Sequence, residues 1–232
     1  MKLKFYIPFL FLYATFFSQN KVDINEQCRV QYDSVFIKYF GDSFFQKNIK
    51  YDKSRSFIDV YLTNNIEDIE NGEEFKTVYL NLKNYEDIKK YQKQYPKFYS
   101  RDHYTYLFLY KNYPFYQSII TCELVNKKEY SDFENALILS YYNKIKAKEY
   151  LSPKKISRIA KSKGFKNICY QSLTSSSFRN KDKVVWLLQD CSDAKQIKEL
   201  EIDPENGKVL NTYETDYGDI GRAVYWNLIN NK

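Results

Sequence analysis

The sequence predicts an α+β fold in which helices pack on antiparallel sheets. Aromatic residues make up 19% of the chain, 24 of them Tyr and 17 Phe, and both residue types favour strands. Segments with apolar residues at helical spacing precede short strand-like runs bounded by turn residues. Because this helix-then-strands order occurs twice, we expect an N-terminal α+β domain of unknown type at residues 19–149 and a second domain at residues 150–232.

In the first half, a helix is predicted at residues 24–40, where Cys28, Tyr32 and Val35 recur at helical spacing and Gly41 provides a stop. Pro114 and its neighbours predict a turn between two aromatic strands. The remaining predicted elements are strands at 44–51, 56–62, 75–82, 104–110 and 117–125, a helix at 85–95 ended by Pro96, and a helix at 132–148 capped by Ser131.

In the second half, Ser152 and Pro153 are typical of a helix start, with Ser as the N-cap and Pro at the first helical position. Gly164 ends this helix. Asp203 to Gly207 form a turn-type sequence. The remaining predicted elements are strands at 167–174, 183–190, 196–202 and 208–213, and a closing helix at 219–230.

The N-terminus has the order of a secretory signal peptide. Lys2 and Lys4 precede an uncharged, mostly apolar run at residues 5–17, and Ser18 begins the first polar break. This run of 13 residues is shorter than the roughly 20 that span a bilayer. We therefore expect cleavage near Ser18 and a secreted or periplasmic product; the alternative is an uncleaved anchor.

Composition argues against several function classes. Without residues 1–18 the chain carries 34 Lys and Arg against 29 acids, a net charge of 34 − 29 = +5, which is mild for a nucleic-acid binder. His103 is the sole histidine, and its neighbours give neither a metal-ligand set nor a catalytic triad. We expect no nucleic-acid partner, no metal, no cofactor and no enzymatic activity.

Three segments of the C-terminal part resemble a PepSY-like domain: the helix from Ser152 to Gly164, the strand sequence Val184-Val-Trp-Leu-Leu, and the strand and turn from Glu199 to Leu210. The resemblance covers about residues 150–213. It implies a cystatin-like fold, with a helix packed on an antiparallel sheet, in an exported non-enzymatic module of the kind found in protease propeptides and envelope proteins. A long polar link at 175–183 and the added cysteines depart from the family pattern.

The four cysteines, an even number in an exported chain, predict disulfides. If residues 183–191 fold back on 167–175 around Asn180, the residue numbers of any two directly opposed positions add up to 360. Cys169 then faces Cys191, and Leu173 faces Leu187. This pairing leaves Cys28 to bond with Cys122; the alternative is free buried thiols.

Two residue groups are candidates for partner binding. The basic stretch Lys144–Lys166 holds nine Lys and Arg residues against Glu149, and Lys154, Arg158 and Lys161 share one predicted helix face. This face suits an acidic partner or an anionic envelope surface; the alternative is an ordinary solvated surface.

The second group is the aromatic stretch at residues 104–116, which includes Tyr104 and Tyr106. If exposed, it is suited to stacking on sugars or peptides; the alternative is a strand buried on both faces. The acidic run at residues 67–74 lacks the spacing of a calcium loop and is interpreted as a solvated loop.

These observations favour a binding or regulatory module for a protease, another envelope protein or a peptide. The alternative is a structural protein of the cell envelope or surface that docks through Lys144–Lys166. A third hypothesis is an enzyme with two buried carboxylates facing each other in a cleft. The sequence carries no signal for an oligomeric state.

Overall fold

The computed structural model describes residues 24–62, 76–81, 98–121, 128–176, 183–193 and 196–216. The predicted α+β class is confirmed by four helices and two antiparallel sheets within these ranges. The elements are α1 (Ile24–Phe40), α2 (Asp42–Asn48), β1 (Ile49–Tyr51), β2 (Phe57–Leu62), β3 (Lys76–Asn81), β4 (Phe98–Tyr110), β5 (Tyr113–Thr121), α3 (Lys128–Lys146), α4 (Pro153–Ser162), β6 (Ile168–Ser175), β7 (Val184–Asp190), β8 (Gln196–Ile202) and β9 (Val209–Asp216).

The first sheet is built around the long strand β4. β5 pairs along one edge, β1 and β2 pair end to end along the other, and β3 lies beyond β2. Between β1 and β2 the buried Ser56 hydroxyl accepts a hydrogen bond from Thr105 N at 2.9 Å, and Thr105 Oγ1 donates to Arg55 O at 3.0 Å. These side chains supply partners where the backbone ladder is interrupted, because buried N–H groups need an acceptor.

Helix α1 covers one face of this sheet. Cys28, Tyr32 and Phe36 are buried at intervals of four residues, as expected of a helix face turned to the core. The Phe36 ring lies 5.0 Å from the Tyr106 ring and 5.4 Å from the Phe108 ring, both in edge-to-face geometry. Gly41, with φ 85°, donates its N–H to Ile37 O at 2.9 Å and ends the helix as predicted.

Helix α3 packs on the same face, beside α1. Its Tyr142 ring lies 5.6 Å from the Tyr110 ring, and Glu134 Oε1 accepts from Ser118 Oγ at 2.7 Å. The predicted N-cap at Ser131 is wrong, because the helix already begins at Lys128. Lys128 and Glu129 are good helix formers and extend it toward the N-terminus.

The second sheet is the meander β6-β7-β8-β9, with α4 on one face. The Ser152 side chain accepts from Lys155 N, and Pro153 occupies the first turn, as predicted. Ile156 and Ala160 are fully buried. A Cβ atom on Gly207 would lie 2.8 Å from Ile159 Cδ1, so the β8–β9 turn packs closely against α4.

The two sheets meet where β5 lies beside β6. Gln117 N donates to Ser172 Oγ at 3.3 Å, and Gln171 Nε2 donates to Pro114 O at 2.9 Å. The start of α4 is tied to the β8–β9 turn by a 2.7 Å hydrogen bond from Leu151 N to Pro204 O. The first turn of α4 is thereby held next to the β4–β5 hairpin.

The strand predicted at residues 44–51 is wrong over most of its length. Residues Asp42–Asn48 form α2, and only Ile49–Tyr51 is strand. The Phe44 ring stacks on Phe40 at 5.2 Å and meets the Tyr142 ring at 4.9 Å. Gly41 separates α1 from α2, and the contacts of Phe44 with Phe40 and Tyr142 indicate that tertiary packing overrides the strand propensity of the aromatic residues.

The hairpin between β4 and β5 also differs from its prediction. Its two-residue loop is Lys111-Asn112, and β5 begins at Tyr113, four residues earlier than expected. Pro114 is therefore a strand residue, placed at the irregularity that follows Phe108, where a missing N–H is tolerated. The predicted helices at 85–95 and 219–230 lie outside the described residues.

The predicted disulfide between Cys169 and Cys191 is confirmed, with a Cα–Cα distance of 5.8 Å. The predicted register is wrong by one residue, because Leu173 pairs with Trp186 and not with Leu187. A shift between Ile168 and Tyr170 places Cys169 in a bulge. Cys28 is also disulfide-bonded; its predicted partner, Cys122, lies outside the described residues.

Candidate functional site

The β4–β5 hairpin carries a lysine on left-handed backbone. Lys111 has φ 50° and Asn112 has φ 68°, the conformation that a two-residue type I′ turn requires. Asn suits such a position, whereas a lysine there bears a steric cost from its Cβ atom. The half-buried Tyr110 and Tyr113 flank this turn.

The end of α3 presents a second lysine in the same conformation. Lys148 has φ 66°, and its N–H donates to Ile145 O at 3.2 Å, while Glu149 N donates to Lys144 O at 3.0 Å. This pair of hydrogen bonds defines a Schellman motif, in which glycine is usual at the left-handed position. Lys148 occupies the glycine position.

These two chain reversals and the start of α4 enclose a cleft of about 480 Å³. Its lining is mainly aromatic and aliphatic, with lysines among the lining residues. The lining residues are Tyr110, Lys111, Tyr113, Ile145, Lys148, Tyr150, Leu151, Ser152, Pro153 and Lys154. The volume lies within the roughly 300–1,000 Å³ typical of ligand pockets.

Cations lie close to the tyrosine rings of the cleft. Lys111 Nζ is 5.5 Å from the centre of the Tyr110 ring, and Lys154 Nζ is 5.7 Å from the centre of the Tyr113 ring. Lys144 Nζ donates to Tyr150 Oη at 3.2 Å. The cleft therefore combines an apolar lining with ammonium groups, a combination suited to a ligand with both apolar and acidic parts.

The basic face of α4, formed by Lys154, Arg158 and Lys161, is exposed as predicted from its spacing. None of the nine Lys and Arg residues in Lys144–Lys166 forms an ion pair with another residue in the part of the chain that the structure describes. In contrast, Arg29 is paired with Asp33 at 2.6 Å. The charge of the basic face is therefore available to an external anion.

A second groove of about 250 Å³ is lined in part by Ser157 and Lys161, from the later turns of α4. Arg55, Lys161 and Lys166 supply its cations, and Tyr113 lines both the groove and the cleft. Its walls are more polar than those of the cleft and include Ser157 and Gln171, whose side chains are 2.6 Å apart. The basic face thus connects an aromatic cleft to a polar groove.

The proposed role of Tyr104 and Tyr106 in partner binding is wrong. Tyr104 is 2% and Tyr106 0% exposed, since α1 covers their face of the sheet. Tyr106 Oη donates to Asp33 Oδ1 at 2.8 Å, and burial together with this carboxylate raises the tyrosine pKa. The alternative of a strand buried on both faces is correct, because Leu107 on the opposite face is also buried.

The single histidine, His103, lies in strand β4. The His103 ring stacks on Phe57 with centroids 4.3 Å apart. Among the described residues, no three His, Cys, Asp or Glu side chains are grouped to hold a metal ion. The acidic run at residues 67–74 lies outside the described ranges.

Buried carboxylates occur in the second sheet, away from the residues that line the cleft. Asp190 accepts hydrogen bonds from Lys166 N at 2.7 Å and Asn167 N at 2.9 Å, and it fixes the chain at the start of β6. Glu199 Oε1 accepts from Gln189 Nε2 at 2.7 Å, and Glu201 Oε2 accepts from Asn211 Nδ2 at 2.6 Å. Each carboxylate thus accepts hydrogen bonds from the sheet or from the segment that leads into β6.

Sequence reasoning found the basic face but missed the cleft. Lys154, Arg158 and Lys161 belong to one helix, so helical spacing alone places them together. The cleft instead combines Lys111 and Lys148 from two chain reversals, and neither Lys-Asn at a hairpin nor Lys at a helix end is a strong turn signal.

Comparison with known proteins returned no matching family model, no similar curated protein and no similar solved structure. Within the described ranges, no helix has the length and apolarity needed to span a membrane. The residues at 1–18, expected to form a signal peptide, lie outside those ranges.

Proposed function

We propose that this chain is an exported, non-enzymatic PepSY-like binding module whose basic face recognises an acidic segment of a partner protein, such as a protease or another envelope protein. One observation carries the proposal: the exposed cations of α4 lie between an aromatic cleft and a polar groove, without ion-pair partners among the described residues. Unpaired charge of one sign raises the local concentration of oppositely charged partners and accelerates their association.

Two features support export. The N-terminal sequence has the order of a signal peptide, and the Cys169–Cys191 disulfide fits an oxidising compartment. The resemblance of residues 150–213 to PepSY-like domains supports a module without its own catalytic residues. A helix on a four-stranded antiparallel sheet is the arrangement that this resemblance implies.

Several observations favour a protein partner over a lipid surface. A helix that lies on a membrane inserts exposed apolar residues between the lipid headgroups, whereas in α4 Ile156 and Ala160 are buried and Ile159 packs, partly buried, against the core. The large exposed apolar side chains in the described part of the chain are Val30, Tyr39, Ile119, Phe133 and Leu139. None of them lies on α4, and the surface beside α4 is concave.

Site-specific photo-crosslinking tests the proposal in the cell that produces the protein. A photoreactive amino acid is placed at Arg158 in one strain and, as a control, at the exposed Lys47 of α2 in another. We expect the probe at position 158 to capture a defined protein through a segment rich in Asp and Glu. The probe at position 47 gives no such adduct.

Three results would contradict the proposal: adducts with lipid alone, an equal yield at both positions, or a captured segment without acidic residues. Lipid adducts would instead favour the structural alternative of docking on an anionic envelope surface.

Vesicles of equal parts phosphatidylcholine and phosphatidylglycerol provide a direct check of that alternative. We expect the wild-type protein and a variant in which Lys154, Arg158 and Lys161 are all replaced by Gln to bind these vesicles with equal affinity.

A further inference from the structure

We propose that the cleft beside the basic face anchors one apolar side chain of an acidic peptide segment, with further acids of the segment reaching the second groove. This inference rests on the proposed function and names the ligand of the same surface. It goes beyond charge attraction, because it assigns a binding pocket to a single side chain and a spacing to the acids that follow it.

The lining of the cleft determines which side chain of the peptide enters it. Tyr110, Tyr113 and Tyr150 provide ring surfaces, and Ile145 and Leu151 provide aliphatic contacts. Rings offer a large apolar contact area with specific geometry, and one buried aromatic side chain commonly dominates the energy of an interface. A bulky apolar side chain is therefore the group that gains most from entering the cleft.

The lysines of the cleft determine which residues should lie next to the anchoring side chain in the peptide. Lys111, Lys148 and Lys154 line it and pair with no acid among the described residues. The first turn of α4 also faces the cleft through Ser152 and Pro153, and a helix N-terminus favours anions. Acids next to the apolar side chain complement both features, whereas a basic neighbour would be repelled.

Backbone conformation gives an independent reason to assign a role to the two reversals. Lys111 and Lys148 both have left-handed backbone, at φ 50° and 66°, where glycine or asparagine is less strained. Two lysines at unfavourable positions line the same cleft. Strain that is retained at two converging positions is typical of functional sites.

The dimensions of α4 set the spacing within the segment. Lys154 lines the cleft and Lys161 lines the second groove, and seven helical residues span about 10 Å. An extended peptide covers that distance in about three residues, at roughly 3.3 Å per residue. We therefore expect an acid about three positions from the anchoring side chain to reach Arg55, Lys161 and Lys166.

Calorimetric titration of the purified protein with synthetic peptides tests the inference. The first peptide contains a single phenylalanine with glutamates beside it and three positions beyond it; the second has serine in place of phenylalanine. We expect the serine peptide to bind about tenfold more weakly or worse, because it loses the burial of an aromatic ring. Equal affinities for the two peptides would overturn the assignment of an anchoring pocket.

A matched pair of protein variants separates binding from folding. The variant Lys111→Asn/Lys148→Gly removes two cleft cations and relieves both strained positions. We expect it to bind the phenylalanine peptide about tenfold more weakly while its thermal midpoint rises, which excludes unfolding as the cause. The control Lys38→Gln/Lys50→Gln removes the same charge from residues that do not line the cleft and leaves affinity unchanged. Wild-type affinity in the cleft variant, or equal losses in both, would refute the inference.

The two proposals fail in different ways. If crosslinking at position 158 captures an acidic partner but the two peptides bind equally, the anchoring pocket is wrong and the binding module stands. If the peptides differ as expected but no cellular partner is captured, the pocket stands and the proposed function is wrong. Self-association that disappears in the cleft variant would assign the cleft to a second copy of this chain and overturn the inference.

Discussion

Lys148 combines a strained backbone position with a place in the lining of the candidate site. The position ends α3 in a Schellman motif with φ 66°, for which glycine is the usual residue. Lysine there places an ammonium group at the cleft, at a steric cost of roughly 1–2 kcal/mol. Lysine at position 148 thus weakens the fold locally and places a positive charge at the candidate site.

We predict that Lys148→Gly raises the free energy of unfolding by about 1 kcal/mol, because glycine relieves the left-handed strain. Urea denaturation followed by circular dichroism measures the change. The control is Lys146→Gly, which alters an exposed residue of the last right-handed turn of α3 and should cost up to about 1 kcal/mol. Loss of stability in the Lys148→Gly protein would show that the lysine makes favourable contacts that outweigh the strain.

At the scale of elements, the β8–β9 turn is held by Asp203. Its Oδ1 accepts from Glu205 N at 3.0 Å and Asn206 N at 3.4 Å, and its Oδ2 pairs with Lys183 Nζ at 3.1 Å. Burial acts to raise the pKa of Asp203, but these hydrogen bonds together outweigh it, and the pKa lies below its usual value. The charged form is therefore favoured in the folded protein.

This pKa shift gives a signed prediction for the dependence of stability on pH. A depressed pKa stabilises the fold above the unfolded-state value, and the contribution is lost as the pH falls through the folded-state value. We predict that wild type is more stable than Asp203→Asn near pH 7 and that the difference shrinks as the pH falls below about 4, the ordinary pKa of an aspartate. A difference that grows on acidification would have the wrong sign; thermal melts across this range measure it.

The Cys169–Cys191 disulfide joins the start of β6 to the residue after β7, across a sequence separation of 22. A crosslink that closes a loop of this size contributes roughly 3 kcal/mol in the chain-entropy model. We predict that Cys169→Ser/Cys191→Ser lowers the free energy of unfolding by about that amount. The urea midpoint measures the loss, with wild type under non-reducing conditions as the reference; a change below about 1 kcal/mol would contradict the estimate.

The second half of the chain was predicted more accurately than the first for a physical reason. Ser152-Pro153 and Asp203–Gly207 are local signals that agree with the final fold, so the bounds of α4 and β8 were close to those observed. At residues 44–51 the local strand propensity conflicts with packing of Phe44 on Phe40 and Tyr142. The β6–β7 register also failed by one residue, because a bulge beside Cys169 has no clear signature in the sequence.

At the scale of the whole molecule, the candidate site was predictable only in part. The basic face belongs to a single helix, and periodicity placed it correctly. The cleft depends on how the β4–β5 hairpin, the end of α3 and the start of α4 converge, which is tertiary information. The aromatic residues singled out from the sequence were divided by this arrangement: Tyr104 and Tyr106 entered the core, while Tyr110 and Tyr113 line the cleft.

The proposed export of the chain has its own prediction. We expect the native protein to begin within a few residues of Gln19 and to show no titratable thiol before reduction, because an oxidising compartment favours disulfides. N-terminal sequencing and thiol titration of the protein isolated from its source measure both. A product that begins at Met1 with four reactive thiols would remove the basis for export.

The central claim is that the basic face and the cleft together bind an acidic segment, and amide chemical-shift mapping tests it most directly. The phenylalanine-containing acidic peptide is titrated into isotopically labelled protein. We predict that the largest shifts occur at Lys111, Lys148 and Lys154 and continue along α4 to Lys161. Shifts that are absent there, or that spread evenly over exposed lysines such as Lys38 and Lys50, would contradict the account.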